Sequence, residues 1–308
     1  MKRTFGYRFL EPAALARVKN LSLIARGVVE GFVSGLHSSP YKGFSSEFAD
    51  HREYSPGDNP RHLDWRALAR TDRLHIKQYE EETNLRAQIL LDVSGSMAYR
   101  SEEGLTKLEY SAYLVAVLTY LMTRQQDAVG LSTFDTDIRL DMPARSSARH
   151  LGDALRRLED FTQDVASTSS QVGQGTNIDK TLHRLAERLQ RRCLIVLISD
   201  LYDDPQAVMQ ALGHFRYRKH EVVVFHVFDK AEIELPFRDT TTFLDMETGE
   251  RLQIDPSYVR EDYCRQMTEM IDGYRRSCAD WNIEYVMTDT SVPYDFMLSR
   301  YLSKRMRL

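Results

Sequence analysis

A disulfide framework is excluded at the outset, because the 308 residues contain only three cysteines, too few and too scattered to staple a fold. Cys193 opens an apolar run and reads as a small core residue. Cys264 and Cys278 fall in one helical pattern, ~21 Å apart along an ideal helix, and so do not bridge each other. Long hydrophobic runs are missing as well. The most apolar stretch near the start, Leu21 to Leu36, is broken by Arg26 and Glu30 and carries Gly27, Gly31 and Gly35, well short of the ~20 apolar residues of a membrane helix. No small-residue cleavage site follows an apolar core, so a secretory signal is not expected. These readings place the protein in the cytoplasm, with no direct membrane span. An excess of charge of one sign is also absent. Lys and Arg number 41 against 45 Asp and Glu, giving a formal charge of -4 and a pI near 6.2, which leaves no global footprint for nucleic acid.

Further absences narrow the chemistry. No G-x-x-x-x-G-K-[ST] loop is present to cradle nucleotide phosphates, and no serine sits in G-x-S-x-G. The nine histidines do not cluster at metal-ligand spacing, and His183 and His226 read as structural. What remains is ordinary globular composition, 42% hydrophobic and 28% charged, in a chain long enough for one large domain or one domain with a smaller appendage.

Against this background one pattern stands out. Asp92-Val93-Ser94-Gly95-Ser96-Met97 directly follows the apolar run Gln88-Ile89-Leu90-Leu91, so an acid and two hydroxyls gather where a buried strand ends. Gly175-Thr176-Asn177 precedes a helical pattern, and Ser199-Asp200 follows the apolar run Cys193 to Ile198. Each segment ends at a loop and supplies only oxygen. Alternate residues leaving a strand point the same way, so Asp92, Ser94 and Ser96 can converge while Gly95 permits a tight path. In an open α/β sheet such loops lie outside the carboxyl ends of the strands, where ligands bind. Magnesium or manganese accepts an oxygen set of this kind. Singly, each piece has a plainer reading: Ser94 and Ser96 as turn residues, Asn177 as a helix cap, Asp200 as the cap of a helix near Pro205. The combination Asp-x-Ser-x-Ser, then Thr, then Asp, with the first and last each after a strand, favours a metal site. Asp92-x-Ser94 lacks the second acid of Asp-x-Asp phosphotransferases and is a poor phosphoryl acceptor.

The surrounding pattern predicts a helix-flanked, mostly parallel sheet. Residues 8 to 36 form an amphipathic helical stretch that reads as packed on the main domain rather than as a membrane-surface helix, since Lys and Arg are not concentrated on it. Strands are expected over Leu74 to Tyr79 and Arg86 to Asp92, joined by a polar turn at Glu82-Thr83-Asn84. Lys107 to Arg124 is a strongly apolar helix. Asp127 to Phe134 and Ile138 to Met142 form a hairpin about Asp135-Thr136-Asp137. Helices follow over Ser147 to Phe161, Ile178 to Arg191 and Pro205 to Phe215, with strands over Cys193 to Ser199, Val222 to Val227 and Ile283 to Met287. A small hairpin is inserted at about 240 to 255. The division expected is an N-terminal helix and charged lobe over 1–73, a main domain over 74–290 and a C-terminal helix over 291–308. Within the lobe, Arg52, Tyr54, Asp58, Arg61, Asp64, Trp65 and Arg66 read either as mutually paired charges anchored by the tryptophan or as a partner-contact surface rich in Arg and aromatic residues.

The constellation at Asp92, Ser94, Ser96, Thr176 and Asp200 resembles the metal-ion-dependent adhesion site (MIDAS) of von Willebrand factor type A domains, over about residues 86 to 290. The segments Tyr41-Lys42-Gly43-Phe44-Ser45-Ser46-Glu47-Phe48, His51 to Asp58 and Arg61-His62-Leu63-Asp64-Trp65-Arg66 resemble the bacterial family called domain of unknown function 58, extending the likeness over nearly the whole chain. The likeness implies a Rossmann-like fold, direct binding of Mg2+ or Mn2+ by Ser94 and Ser96, binding by Thr176 in some states, and direct or water-mediated contact from Asp92 and Asp200. Many type A domains have Thr-Asp-Gly where this chain has Ser199-Asp200-Leu201 followed by Asp203 and Asp204, which leaves three carboxylates in that loop as candidates. The likeness further implies a non-enzymatic, metal-dependent adaptor that works with a MoxR-type AAA+ ATPase in chaperone-like remodelling or maturation of a client. Two other readings stay open: a magnesium-dependent hydrolase using the same site, and a scaffold that never binds metal.

Overall fold

Strands that are apolar from end to end belong in the middle of a sheet covered on both sides, and strands that alternate belong at its edge. The computed structural model, which describes residues 51–53, 75–77, 85–101, 104–167, 178–245 and 249–292, follows that rule. In chain order the strands are β1 (His51–Glu53), β2 (His75–Lys77), β3 (Arg86–Asp92), β4 (Ala128–Phe134), β5 (Ile138–Arg145), β6 (Leu194–Ser199), β7 (Glu221–Phe228), β8 (Thr241–Leu244), β9 (Arg251–Ile254) and β10 (Glu284–Asp289). The helices are α1 (Lys107–Arg124), α2 (Ala148–Ser167), α3 (Ile178–Arg188), α4 (Pro205–Tyr217), α5 (Lys230–Glu234) and α6 (Pro256–Asp280), with a 3-10 turn at Gly95–Ala98.

Six strands form the main sheet in the order β10-β7-β6-β3-β4-β5. All neighbours run parallel except β4 and β5, which form the expected antiparallel hairpin. β6 is buried at every position, whereas β5 alternates between half-buried and exposed residues at the sheet's edge. Alternation divides the core in two. Ala87, Ile89, Leu91, Val196, Ile198, Val223 and Phe225 pack with α1 and α2 on one face, while Leu90, Ile195, Leu197, Val222 and Val224 pack with α3, α4 and α6 on the other. This is the mostly parallel sheet with helices on both faces that the type A likeness implies.

Helix boundaries have local causes. Thr106 accepts from the Glu109 N–H at 3.0 Å and the Glu109 carboxylate accepts from the Thr106 N–H at 2.8 Å, a reciprocal capping box that fixes the start of α1. Asp204 caps α4 and Asp255 caps α6, each followed by proline at the first helical position. Asp200 is therefore not the cap of the helix at Pro205. Among the described residues no helix is long and apolar enough to cross a membrane.

β1 and β2 belong to a separate unit, Ser34–Asn84. β2 pairs antiparallel with β1, so the strand expected at Leu74 to Tyr79 finds its partner at His51–Glu53 and is not one of the main sheet. The polar turn at 82–84, the helical stretch at 8–36 and residues 293–308 of the expected C-terminal helix lie outside the described residues.

Candidate functional site

β3 is the point where the sheet's strand order reverses, since its two neighbours are β4 on one side and β6 on the other. Such a reversal opens a crevice at the carboxyl ends of the two strands. Asp92 is the last residue of β3, and Asp200 directly follows β6. Both are fully buried.

The loop leaving β3 is organised by Asp92. Its Oδ1 accepts the Ser94 N–H at 2.9 Å, and its Oδ2 accepts the Ser199 hydroxyl at 2.5 Å, which ties the ends of β3 and β6 together. Ser94 precedes the 3-10 turn but its side chain does not cap it. Instead the Ser94 and Ser96 hydroxyls face each other with their oxygens 3.1 Å apart. The plainer reading of the two serines as turn formers thus leaves their side-chain direction unexplained. Burial pushes the Asp92 carboxyl up to about 7, helped by the nearby Asp200 charge and opposed by the hydrogen bonds from Ser199 and Ser94.

The loop leaving β6 is held differently. Leu201 takes the left-handed backbone conformation at φ 51°, the region a glycine enters freely and a leucine only at a cost of about 1–2 kcal/mol. Its N–H donates to the Ser199 Oγ at 2.9 Å, and its carbonyl accepts from the Asp203 N–H at 2.8 Å and the Tyr274 hydroxyl at 3.3 Å. Leu201 holds this conformation while fully buried. The three acids of the loop separate cleanly. Asp203 accepts the N–H of Ile178, the first residue of α3, at 2.9 Å, Asp204 caps α4, and Asp200 is fully buried at the end of β6.

One Asp200 oxygen, Oδ2, accepts from the Lys107 ammonium at 2.7 Å. The other, Oδ1, is buried with no hydrogen-bond partner among the described residues, a need that a cation or a further donor would satisfy. Lys107 is itself fully buried and also donates to Glu232 Oε1 at 2.6 Å, with its ammonium 4.8 Å from the centre of the Tyr202 ring. Burial works against the Lys107 charge, but Asp200 and Glu232 together hold its pKa above the ordinary value. Glu232 is raised by burial, partly countered by Lys107. Behind Asp200, His226 Nε2 lies 2.8 Å from the Asp200 carbonyl oxygen and Nδ1 lies 2.8 Å from the Tyr285 hydroxyl. A carbonyl only accepts, so the proton belongs on Nε2 and Tyr285 donates to Nδ1. Burial depresses this imidazole to about 4, which keeps it neutral.

The crevice therefore gathers Asp92, Ser94, Ser96 and Asp200 from two strand ends. Thr176 lies outside the described residues, as do Tyr54, Asp58, Arg61, Asp64, Trp65 and Arg66 of the charged lobe; Arg52 lies in β1. Among the described residues no three His, Cys, Asp or Glu side chains cluster as a metal site, so any cation here would rest on hydroxyls and two carboxylates. That oxygen-only set is the kind that magnesium or manganese takes. Lys107, Glu232 and the linking role of Ser199 were not foreseen from the sequence. The only signal was a lysine opening an otherwise apolar helix beside a capping box.

The chain is similar to several known proteins. It is 27% identical over 257 residues to Uncharacterized protein Rv1480 of Mycobacterium tuberculosis, covering 83% of this chain and 78% of that protein. Among solved structures it is similar to the conserved hypothetical protein BatB from Bacteroides thetaiotaomicron, at 20% identity and TM-score 0.46 over 73% of this chain and all of that one. It is also similar to the SpRpn10 VWA domain, at 11% identity and TM-score 0.41 over 70% of this chain and 94% of that one. A family model matches residues 50–271, from β1 through most of α6, and by that match the chain belongs to the family described as Protein of unknown function DUF58.

Proposed function

We propose that this protein is a non-enzymatic adaptor that grips a partner protein through a divalent cation held at the β3–β6 crevice by Asp92, Ser94, Ser96, Thr176 and Asp200. The observation that carries the reading is Asp200 Oδ1, a buried carboxylate oxygen without a partner among the described residues, beside a second buried carboxylate and two facing hydroxyls. Magnesium or manganese held there would attract a carboxylate of the partner, because the neutral hydroxyls of Ser94 and Ser96 would leave most of the ion's charge uncancelled. The chain's own groups do the positioning. Ser199 and the Ser94 N–H hold Asp92 from both sides, and neutral His226 braces the backbone of Asp200.

The family likeness supports a MoxR-type AAA+ ATPase as the partner, with the pair remodelling or maturing a client in the cytoplasm. The rival reading, hydrolysis at the same ion, needs a general base. Asp203 and Asp204, the nearest extra acids of the loop, are already committed to the backbone of α3 and α4, which favours binding over chemistry.

The test is capture from native lysate by the tagged full-length protein, with magnesium or with a chelator. Retention of an AAA+ ATPase only with magnesium, and its loss in Ser96→Ala, is the expected result. The same proteins captured in both samples would overturn the adaptor reading, and phosphoester hydrolysis abolished by Ser96→Ala would replace it with the enzymatic one.

A further inference from the structure

We infer that Lys107 is a resident counter-cation of the crevice, which occupies Asp200 and thereby weakens the grip of the site on a divalent ion. The inference rests on the metal reading above and concerns how that site is regulated by its own neighbour.

Lysine is almost never fully buried unless paired, and Lys107 is fully buried. It is also the first residue of α1, the end of a helix where the macrodipole disfavours positive charge. Packing and helix electrostatics both oppose an ammonium here, so its position has to be explained by what it touches. It touches two carboxylates from distant parts of the chain, Asp200 at 2.7 Å and Glu232 at 2.6 Å. Lys107 thus performs for Asp200 part of what an external cation would do. It neutralises one oxygen and leaves Oδ1 without a partner among the described residues.

Two consequences follow from this geometry. The crevice retains a counter-charge when no divalent ion is present, so its buried carboxylates are not left wholly uncompensated. An entering divalent ion meets like charge from the ammonium and an Asp200 that is already half engaged. Glu232 gives the ammonium a second seat, so that Asp200 can turn to the ion while Lys107 keeps an anionic partner. Glu232 is itself fixed by accepting the Asp229 N–H at 2.8 Å in the capping box of α5. Binding that is weakened in this way is readily reversible, as a cycling partner requires.

The test measures Mn2+ affinity by electron paramagnetic resonance on the full-length protein and its variants. Lys107→Met is expected to bind Mn2+ about tenfold tighter or more. Removing one member of a buried ion pair can prevent folding, so the double variant Lys107→Met with Glu232→Gln is measured beside it. The double variant has the same net charge as the natural chain but a released Asp200, and is also expected to bind more tightly. Thermal unfolding gives a second readout: chelation lowers the Tm of Lys107→Met much more than that of the natural chain. If the natural chain binds Mn2+ and Asp92→Ala does not, yet neither Lys107 variant binds more tightly, the counter-cation inference fails while the metal reading stands. If neither the natural chain nor Lys107→Met binds Mn2+, or Asp92→Ala binds it as well as the natural chain, both fail.

Discussion

His226 shows how one side chain can support the crevice without entering it. Its imidazole donates to the Asp200 carbonyl and accepts from Tyr285, and burial lowers its pKa from 6.5 to about 4. Between those values an unfolded chain takes up a proton that the native chain refuses. The stability His226 contributes is therefore fully present above pH 6.5 and is lost as the pH falls toward 4. Asp92 has the opposite sign: its folded value near 7 lies above the ordinary 3.8, so its contribution is present at low pH and lost as the pH rises. The two partly cancel in the natural protein, and His226→Gln separates them. The stability advantage of the natural chain over the variant should shrink by about 2–3 kcal/mol from pH 7 to about pH 4.5, measured by urea unfolding at each pH. A constant difference would show that His226 titrates normally. Nothing in the sequence around His226 separates this role from that of any strand histidine. Lys107 was equally illegible, because its partners lie 93 and 125 residues further along the chain.

At the scale of elements the pattern was far more readable, and the reasons are local. The helix expected over Lys107 to Arg124 has those bounds, because a capping box opens it and its apolar run is long. The apolar strands leading into Asp92 and Asp200 were visible as continuous runs, which only central strands of a parallel sheet need. The five residues of α5 and the 3-10 turn at Gly95–Ala98 are too short to show a period. The pairing of β2 with β1 was missed because a strand's partner is not encoded in its own alternation. The β4–β5 edge offers a direct check on packing. A Cβ at Gly130 would run into the Gln88 side chain and lie 2.7 Å from the Met142 carbonyl oxygen. Gln88 also donates to Ser132 at 2.9 Å and to that same carbonyl at 3.2 Å. Gly130→Ala is expected to cost about 1–3 kcal/mol, read as a lower urea midpoint at unchanged slope. An unshifted midpoint would mean that the β5 edge yields freely.

For the molecule as a whole, the main sheet and the β8–β9 hairpin are distinct in kind. The hairpin is a separate two-stranded sheet with Leu244 and Leu252 exposed, and its Phe243 meets Phe237 edge to face at 5.6 Å. Replacing residues 239–254 with a short Gly-Ser linker should leave far-UV circular dichroism of the sheet intact and shift Tm by no more than about 2–4 °C, with Mn2+ affinity unchanged. A cooperative loss of structure would instead make the hairpin part of the core. The crevice has no such independence. Asp92 and Ser199, joined by one hydrogen bond, are separated by 107 residues, and the Lys107–Glu232 pair by 125. During synthesis the N-terminal part of a chain emerges first, and contacts between distant residues wait for the later part. Asp92 and its two serines leave the ribosome long before Asp200 and Glu232 exist. On the proposed reading, a partner that recognises the assembled crevice would ignore nascent chains and engage only molecules whose synthesis has passed α5.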